Sequence, residues 1–358
     1  MEKSKTSIRQ HVGIDMSKDS FVAAVALQHA DLTVSIVSTK KFTNSAPGFE
    51  SLLRWTKVFT SPELPFGFAM EATGVYYEPL CYWLFERGLP VSVQLAQKVK
   101  HYGQSLNIKT KTDRSDAAVI ARMGLERKLK AWNAGSAALR QIKLVLRERE
   151  ALIEEVKGVK NQLHALSHAH QAPVPILERL KKRLDFMAQQ LAEVEAGLTE
   201  LVKADAPLKE RVEHVCTIKG VGFISAITVI AETNGFALFG SQRQLVSYAG
   251  YDVVQNQSGS SLNGKTRISK KGNRRIRKAL YFPAITASMY DARHKAIFGK
   301  IYQKTAIKMK GSVAIQRRLL ILIYTLYKNN EPYDEHRLNQ AARATTKIRQ
   351  DQIETCPA

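Results

Sequence analysis

Cysteine is scarce in this chain. Cys81, Cys216 and Cys356 are its three, odd in number and far apart, so neither a disulfide framework nor zinc-ligand spacing is available. Long apolar runs are missing too: the longest, Leu319 to Tyr327, falls far short of the ~20 residues that span a bilayer. The opening MEKSKTSIRQ has no apolar core of a signal peptide. A cytoplasmic protein without a membrane partner is expected. Acid is in short supply as well. Against 54 Lys and Arg stand 32 Asp and Glu, a net charge of +22 in 358 residues. Such an imbalance implies a polyanionic partner, nucleic acid above all.

With acids so few, their positions carry information. Asp113 and Asp116 in KTKTDRSDA are three residues apart at the start of a predicted helix, on one face. An acidic first turn also suits the helix dipole, which is the bland explanation. Strands are predicted over Val12–Asp15, Phe21–Ala26, Leu32–Val37, Phe66–Met70 and Val91–Leu95. Helices are predicted over Ser45–Trp55, Val75–Arg87 and Ala96–Leu106. This is an α/β pattern, with Asp15 closing the first strand and Glu71 the fourth. Ligand sites in open α/β sheets gather at strand carboxyl ends, so the four carboxylates can share one cleft. Oxygen-rich clusters of that kind suit Mg²⁺ or Mn²⁺. Lys18 and Lys111 flank them, with solvated surface lysine as the default reading.

From Ala137 to His168 a helix carries Val145, Leu152, Val159 and Leu166 at seven-residue steps, with Val156 and Leu163 on the second seam. Pro173 and Pro175 break it. A second helix follows with Leu177, Leu180, Leu184, Met187, Leu191, Val194, Leu198 and Leu201, alternating three and four. An antiparallel coiled-coil hairpin is predicted, an arm for dimers or tetramers. His164, His168 and His170 near its tip lack a nearby acid or cysteine at ligand spacing and read as a solvated helix end.

Further on, CTIKGVGFISAITVIA contains Lys219, Gly220 and Gly222 ahead of an apolar helix. Glycines here let backbone N–H groups approach a phosphate, or simply make a tight turn between packed helices. Between Leu262 and Arg318 there are sixteen Lys or Arg and one acid, Asp291. Lys265, Arg267, Lys270, Lys271, Arg274, Arg275, Arg277 and Lys278 form a basic cluster expected to meet nucleic acid. The preceding stretch Gln255–Ser261 reads as a polar loop.

The blocks GIDMSKDSF, MEATGVYYEPL and KTDRSDAAVIA, followed by YAGYDVVQNQSGSSLNGKTRISKKGNRRIRKALYFPA, resemble those of the DEDD transposases of insertion sequences. That group includes Piv-type DNA invertases and bridge-RNA-guided recombinases. The resemblance covers nearly the whole chain. It implies an α/β ribonuclease H-like (RuvC-like) catalytic domain over residues 8–133, a coiled-coil hairpin over 134–205, a mostly α-helical transposase domain over 206–330 and a flexible tail over 331–358. It implies that Asp15, Glu71, Asp113 and Asp116 hold Mg²⁺ or Mn²⁺, and that Ser258 in QSG attacks the DNA phosphate. Ser260 and Ser261 are near enough to be mistaken for it. Donor and target DNA, a guide RNA and further copies of the chain are the partners it implies. A hydrolytic junction-resolving nuclease using the same tetrad, and a non-catalytic nucleic-acid-binding regulator, are the alternatives.

Overall fold

Residues 6–334 are described by a computed structural model, apart from 73, 109–111, 238, 256, 259–261, 264 and 265. At 257, 258, 262 and 263 the description is of the backbone alone. The chain divides into two units between Ala134 and Gly135.

The first unit begins with an antiparallel meander of β1 (Ser7–Met16), β2 (Ser20–His29) and β3 (Val34–Thr43). After α1 (Ala46–Phe59), β4 (Phe68–Glu71) joins β1 in parallel. After α2 (Glu78–Glu86), β5 (Val91–Gln94) joins β4 in parallel. The strand order is β3-β2-β1-β4-β5. Three antiparallel strands extended by two parallel ones make the ribonuclease H-like sheet that the sequence implied.

The period-2 alternation of strand side chains sorts the two faces. Val12, Ile14 and Met16 of β1, with Phe21, Phe68 and Met70, pack against Phe49 and Leu52 of α1 and Leu80 and Leu84 of α2. The opposite face carries small residues: Gly13, Ala24, Ala26 and Ala69. Against it lie α3 (Ala96–Ser105) and α4 (Asp113–Glu126), the latter presenting Ala117 and Ala121. Small residues on both sides allow a close approach. A Cβ on Gly13 would overlap the backbone of Ala117 and Ala121, and one on Gly124 would overlap the His11 ring.

In the second unit α5 (Ala137–Ser167) and α6 (Val174–Lys203) form the antiparallel hairpin. Their 31 and 30 residues span ~46 and ~45 Å at 1.5 Å per residue. Pro175 falls in the first turn of α6, where its missing N–H costs nothing. Leu139, Ile142, Leu146, Leu198 and Val202 sink the root of the hairpin into the core of this unit. Farther out Leu152, Val156, Leu163, Leu180, Leu184 and Leu191 are only half-buried.

That core is completed by α7 (Ala206–Cys216), α8 (Phe223–Glu232) and α9 (Gln242–Ala249), then α10 (Arg274–Ala279), α11 (Tyr281–Tyr290), α12 (Ala292–Thr305) and α13 (Lys308–Asn329). Between α9 and α10, β6 (Val253–Val254) pairs with β9 (Arg267–Ile268), and β7 (Gln257–Ser258) pairs with β8 (Leu262–Asn263). The segment read as a polar loop, 255–261, thus supplies one strand, β7, to a two-tier β-hairpin whose outer rung has β-branched Val253, Val254 and Ile268. Among the described residues no helix is long and apolar enough to cross a membrane. At the start of the segment read as the tail, Tyr333 donates a hydrogen bond from its hydroxyl to Asp291 at 3.0 Å. Residues 335–358 lie outside the described residues.

Two stability outcomes follow from the β1–α4 contact. Gly13→Ala should cost about 3 kcal/mol, at the upper end for overpacking, because backbone must move to admit the methyl group. Urea unfolding of wild type and variant measures it. His11 is held neutral under α4: burial first, with Arg9 adding, lowers its pKa to about 4, against a weaker pull upward from the Val12 carbonyl. The unfolded chain binds the extra proton, so this stabilisation is full above pH ~6.5 and is lost as pH falls towards 4. His11→Asn should show a smaller loss of urea midpoint across that window.

Candidate active site and nucleic-acid surface

The β1–α4 contact also sets the level of the acids. His11 lies at Gly124 and Gly13 at Ala117 and Ala121, so α4 runs antiparallel to β1. From Gly13 to Asp15 the strand advances ~7 Å. The same distance along α4, at 1.5 Å per residue, is four to five residues back, between Asp113 and Asp116. Asp15 projects to the α4 face, as Gly13 does. Gly13 is in register with Ala69, so Glu71 falls level with Asp15 on the neighbouring strand. Four acids from three segments therefore stand at one level on one sheet face.

The helix start is fixed locally. Thr112 caps α4: its Oγ1 accepts from the Ser115 N–H at 3.2 Å, and its own N–H donates to Ser115 Oγ at 2.8 Å. This is a capping box with serine in the third position. Asp116 is half-buried and Asp113 exposed. Glu71 and Asp116 border an open cleft of about 610 Å³. Its other wall is α3, through Gln97, Lys100, His101 and Gln104. Those four have i, i+3, i+4, i+7 spacing, a polar helix face that was readable in the sequence and that the motif reading passed over. Among the described residues no three His, Cys, Asp or Glu converge to metal-holding distance. Lys18 is exposed, and Lys111 lies outside the described residues.

Ser258 belongs to the second unit, opposite Leu262 in the inner rung of the hairpin. Ser260, Ser261 and Lys265 lie outside the described residues. Arg267 is exposed on the outer rung, paired with Val254. Around the following turn the backbone is tightly determined. Lys270 is left-handed at φ 53°. A Cβ on Gly272 would overlap the Tyr248 carbonyl. Asn273 caps α10 by accepting from the N–H of Arg275 and Ile276 at 2.9 and 3.2 Å. It also donates to the buried Glu232 carboxylate at 2.7 Å. Lys143 and Arg147 of α5 approach the same carboxylate at 3.8 and 3.9 Å.

The basic cluster is less free than its sequence implied. Arg275 donates to Glu150 at 2.7 Å, and Lys278 reaches Glu150 at 3.2 Å and Glu154 at 2.9 Å. Arg277 donates inward to the Ala249 carbonyl at 2.7 Å. Burial would raise the Glu150 pKa, but hydrogen bonds from Lys278 and Arg275 outweigh it and hold the carboxyl below the usual range. The compensating acids come from α5, more than a hundred residues upstream, so a local charge count could not find them. Lys270, Lys271 and Arg274 remain exposed. Of the glycines near Lys219, Gly220 is packed: at φ 91° a Cβ would come 2.9 Å from the Pro283 carbonyl of α11. Gly222 caps α8 with open space about it.

The strand order β3-β2-β1-β4-β5, with β4 parallel to β1 and β5 parallel to β4, defines a ribonuclease H-like domain. A model named for the DEDD transposases of the IS110 type, described as "Transposase", matches residues 12–170, and one described as "Transposase IS116/IS110/IS902 family" matches 212–298. Together they span more than half of the sequence, and the chain belongs to the IS110 family of transposases. It is 26% identical over 329 residues to the pilin gene-inverting protein of Moraxella lacunata, covering 91% of this chain and 98% of that protein. It is 26% identical over 276 residues to the transposase for insertion sequence element IS1111A of Coxiella burnetii, covering 69% and 73%. Among solved structures, Thermus thermophilus RuvC in complex with a Holliday junction substrate aligns with 34% of this chain and 99% of its own. The identity there is 14% and the TM-score 0.27.

The ion pairs from α5 make a measurable claim. In the double variant Glu150→Gln, Glu154→Gln, Arg275 and Lys278 are released to meet phosphates. The slope of log affinity against log salt for a labelled DNA duplex should steepen by about 1 to 2. Fluorescence anisotropy at several salt concentrations reads it. An unchanged slope would assign these two cations to the hairpin contact alone.

Proposed function

We propose that this IS110-family transposase cuts and rejoins DNA at specific sites through a covalent serine–DNA intermediate, with Asp15, Glu71, Asp113 and Asp116 as its metal-binding tetrad. The observation that carries the reading is the common level of the four acids on one sheet face, in a chain of this family. The donor set is all oxygen, which fits Mg²⁺ or Mn²⁺. Two carboxylates 4 Å apart repel by roughly 4 kcal/mol at an effective dielectric of about 20. Carboxylates drawn together at this level would favour a cation that offsets their repulsion. When bound, a divalent ion polarises the phosphoryl oxygens.

The chain's own residues do the rest. Ser258 Oγ forms a bond to phosphorus as the bond from phosphorus to the leaving deoxyribose oxygen breaks. The serine loses its proton and the leaving oxygen gains one. The phosphoserine ester keeps the energy of the broken bond, so a deoxyribose hydroxyl can reverse the step on a new partner. Arg267 and Lys265, near Ser258 in sequence, would offset charge on the phosphate. Lys270, Lys271 and Arg274 hold the nucleic acid. The family implies a structured guide RNA pairing with donor and target, and the charge of +22 suits binding both nucleic acids. The half-buried outer seam of the α5–α6 hairpin suits assembly into a dimer or tetramer.

The test is a covalent adduct. The protein is expressed with its native flanking DNA and non-coding RNA, denatured and digested, and peptides are read by mass spectrometry. A nucleotide on the peptide bearing Ser258 is expected, absent in Ser258→Ala. Asp116→Ala should lower its yield by about 100-fold, the upper end of what even supporting metal-site residues cost. Sedimentation of the same complex gives the copy number. Nicked DNA without an adduct would replace this mechanism by hydrolysis.

A further inference from the structure

A second concentration of positive charge lies between α12 and α13. A cleft of about 350 Å³ is bordered there by Arg293, Arg317 and Arg318, with Ile321, Leu322 and Tyr333. Arg318, Ile321, Leu322 and Thr325 follow i, i+3, i+4, i+7 spacing, so one stripe of α13 faces the cleft. Among the described residues none of the three guanidiniums is in ion-pair contact with a carboxylate.

The carboxylate at the start of α12 is already committed. Asp291, 1% exposed, accepts from the backbone N–H of His294 at 2.9 Å and from Tyr333 at 3.0 Å, and faces His294 Nδ1 at 3.0 Å. His294 is itself buried, and burial together with Arg293 and Arg318 outweighs Asp291 and lowers its pKa. Arg318 is lowered too, by burial first and then by repulsion from Arg293 and Arg317. Arg293 and Arg317 are thus held close enough to repel Arg318, over a floor whose Asp291 carboxylate caps α12.

We infer that the α12–α13 cleft is a phosphate site for the nucleic-acid backbone, gripped by Arg293, Arg317 and Arg318. The inference rests on the nucleic-acid-binding part of the function proposed above, and it names a contact that the basic cluster at 265–278 does not include. Guanidinium forks match phosphate oxygens two at a time, which lysine ammonium groups cannot do. The volume is that of a small-ligand pocket, enough for one nucleotide unit. Ile321 and Leu322 offer an apolar wall to the carbon face of the sugar. The phosphodiester belongs to DNA or to RNA, and the experiment separates the two.

Binding of the full-length protein to a labelled DNA duplex and to its transcribed flanking RNA is measured against salt, for wild type and for Arg317→Gln, Arg318→Gln. The slope of log affinity against log salt should fall by about 1 for whichever nucleic acid occupies the cleft. A fall with DNA alone, RNA alone or both assigns the source. Slopes unchanged for both, with wild-type binding intact, would overturn the site and leave the recombinase reading standing. Wild-type protein that binds neither would overturn both. A second measurement needs no variant. Phenylglyoxal should label Arg317 and Arg318 in the free protein, and the nucleic acid should protect them at least fivefold. Equal labelling with and without both nucleic acids would also overturn the site.

Discussion

Gly13 has no side chain, and the backbone of α4 occupies the space a Cβ would need. The arrangement of the candidate active site depends on that contact. An α-helix lying on a sheet is normally held off by side chains from both surfaces. Here Gly13, Ala24, Ala117 and Ala121 let main chain approach main chain, and the register between strand and helix becomes a matter of hard contact. A helix that cannot slide keeps its first turn opposite the end of β1. Asp15, Glu71, Asp113 and Asp116 are brought level by packing, without any attraction among the carboxylates themselves.

Packing holds the register, and like-charged carboxylates add no attraction of their own to it. The scaffold supplies the stability. The apolar residues of the other sheet face, with Phe21, Phe49, Leu52 and Met70 buried, are the evident source. His11 belongs to the same bargain: a histidine wedged neutral beneath α4 stabilises the unit only while it stays unprotonated, which ties the site's support to pH.

Much of this was legible in the sequence, and for identifiable reasons. Strands and helices of the first unit follow from alternation and from Gly and Pro punctuation, and the hairpin follows from its heptads. The order Asp15, Glu71, Asp113, Asp116 was visible because acids are few and fall at strand ends and a helix start. What escaped was whatever depends on distant partners. Glu150 and Glu154 look like outward positions of a coiled coil until α10 is folded against them. Glu232 looks like the polar end of an apolar helix until Asn273, Lys143 and Arg147 surround it. The hairpin that holds Ser258 has rungs only two residues long, below the length at which periodicity distinguishes strand from loop.

The same distinction separates the two basic surfaces of the second unit. Counted along the chain, residues 262–318 look uniformly available to a polyanion. In the fold, Arg275 and Lys278 are already neutralised by α5, whereas Arg293, Arg317 and Arg318 are left facing one another. Cations paired with carboxylates give up an existing partner to bind a phosphate, so the net gain is small. Cations held together without a carboxylate partner gain the full attraction and lose mutual repulsion as well. The strength of a basic surface is therefore set less by how many charges it carries than by which acids the fold has placed beside them.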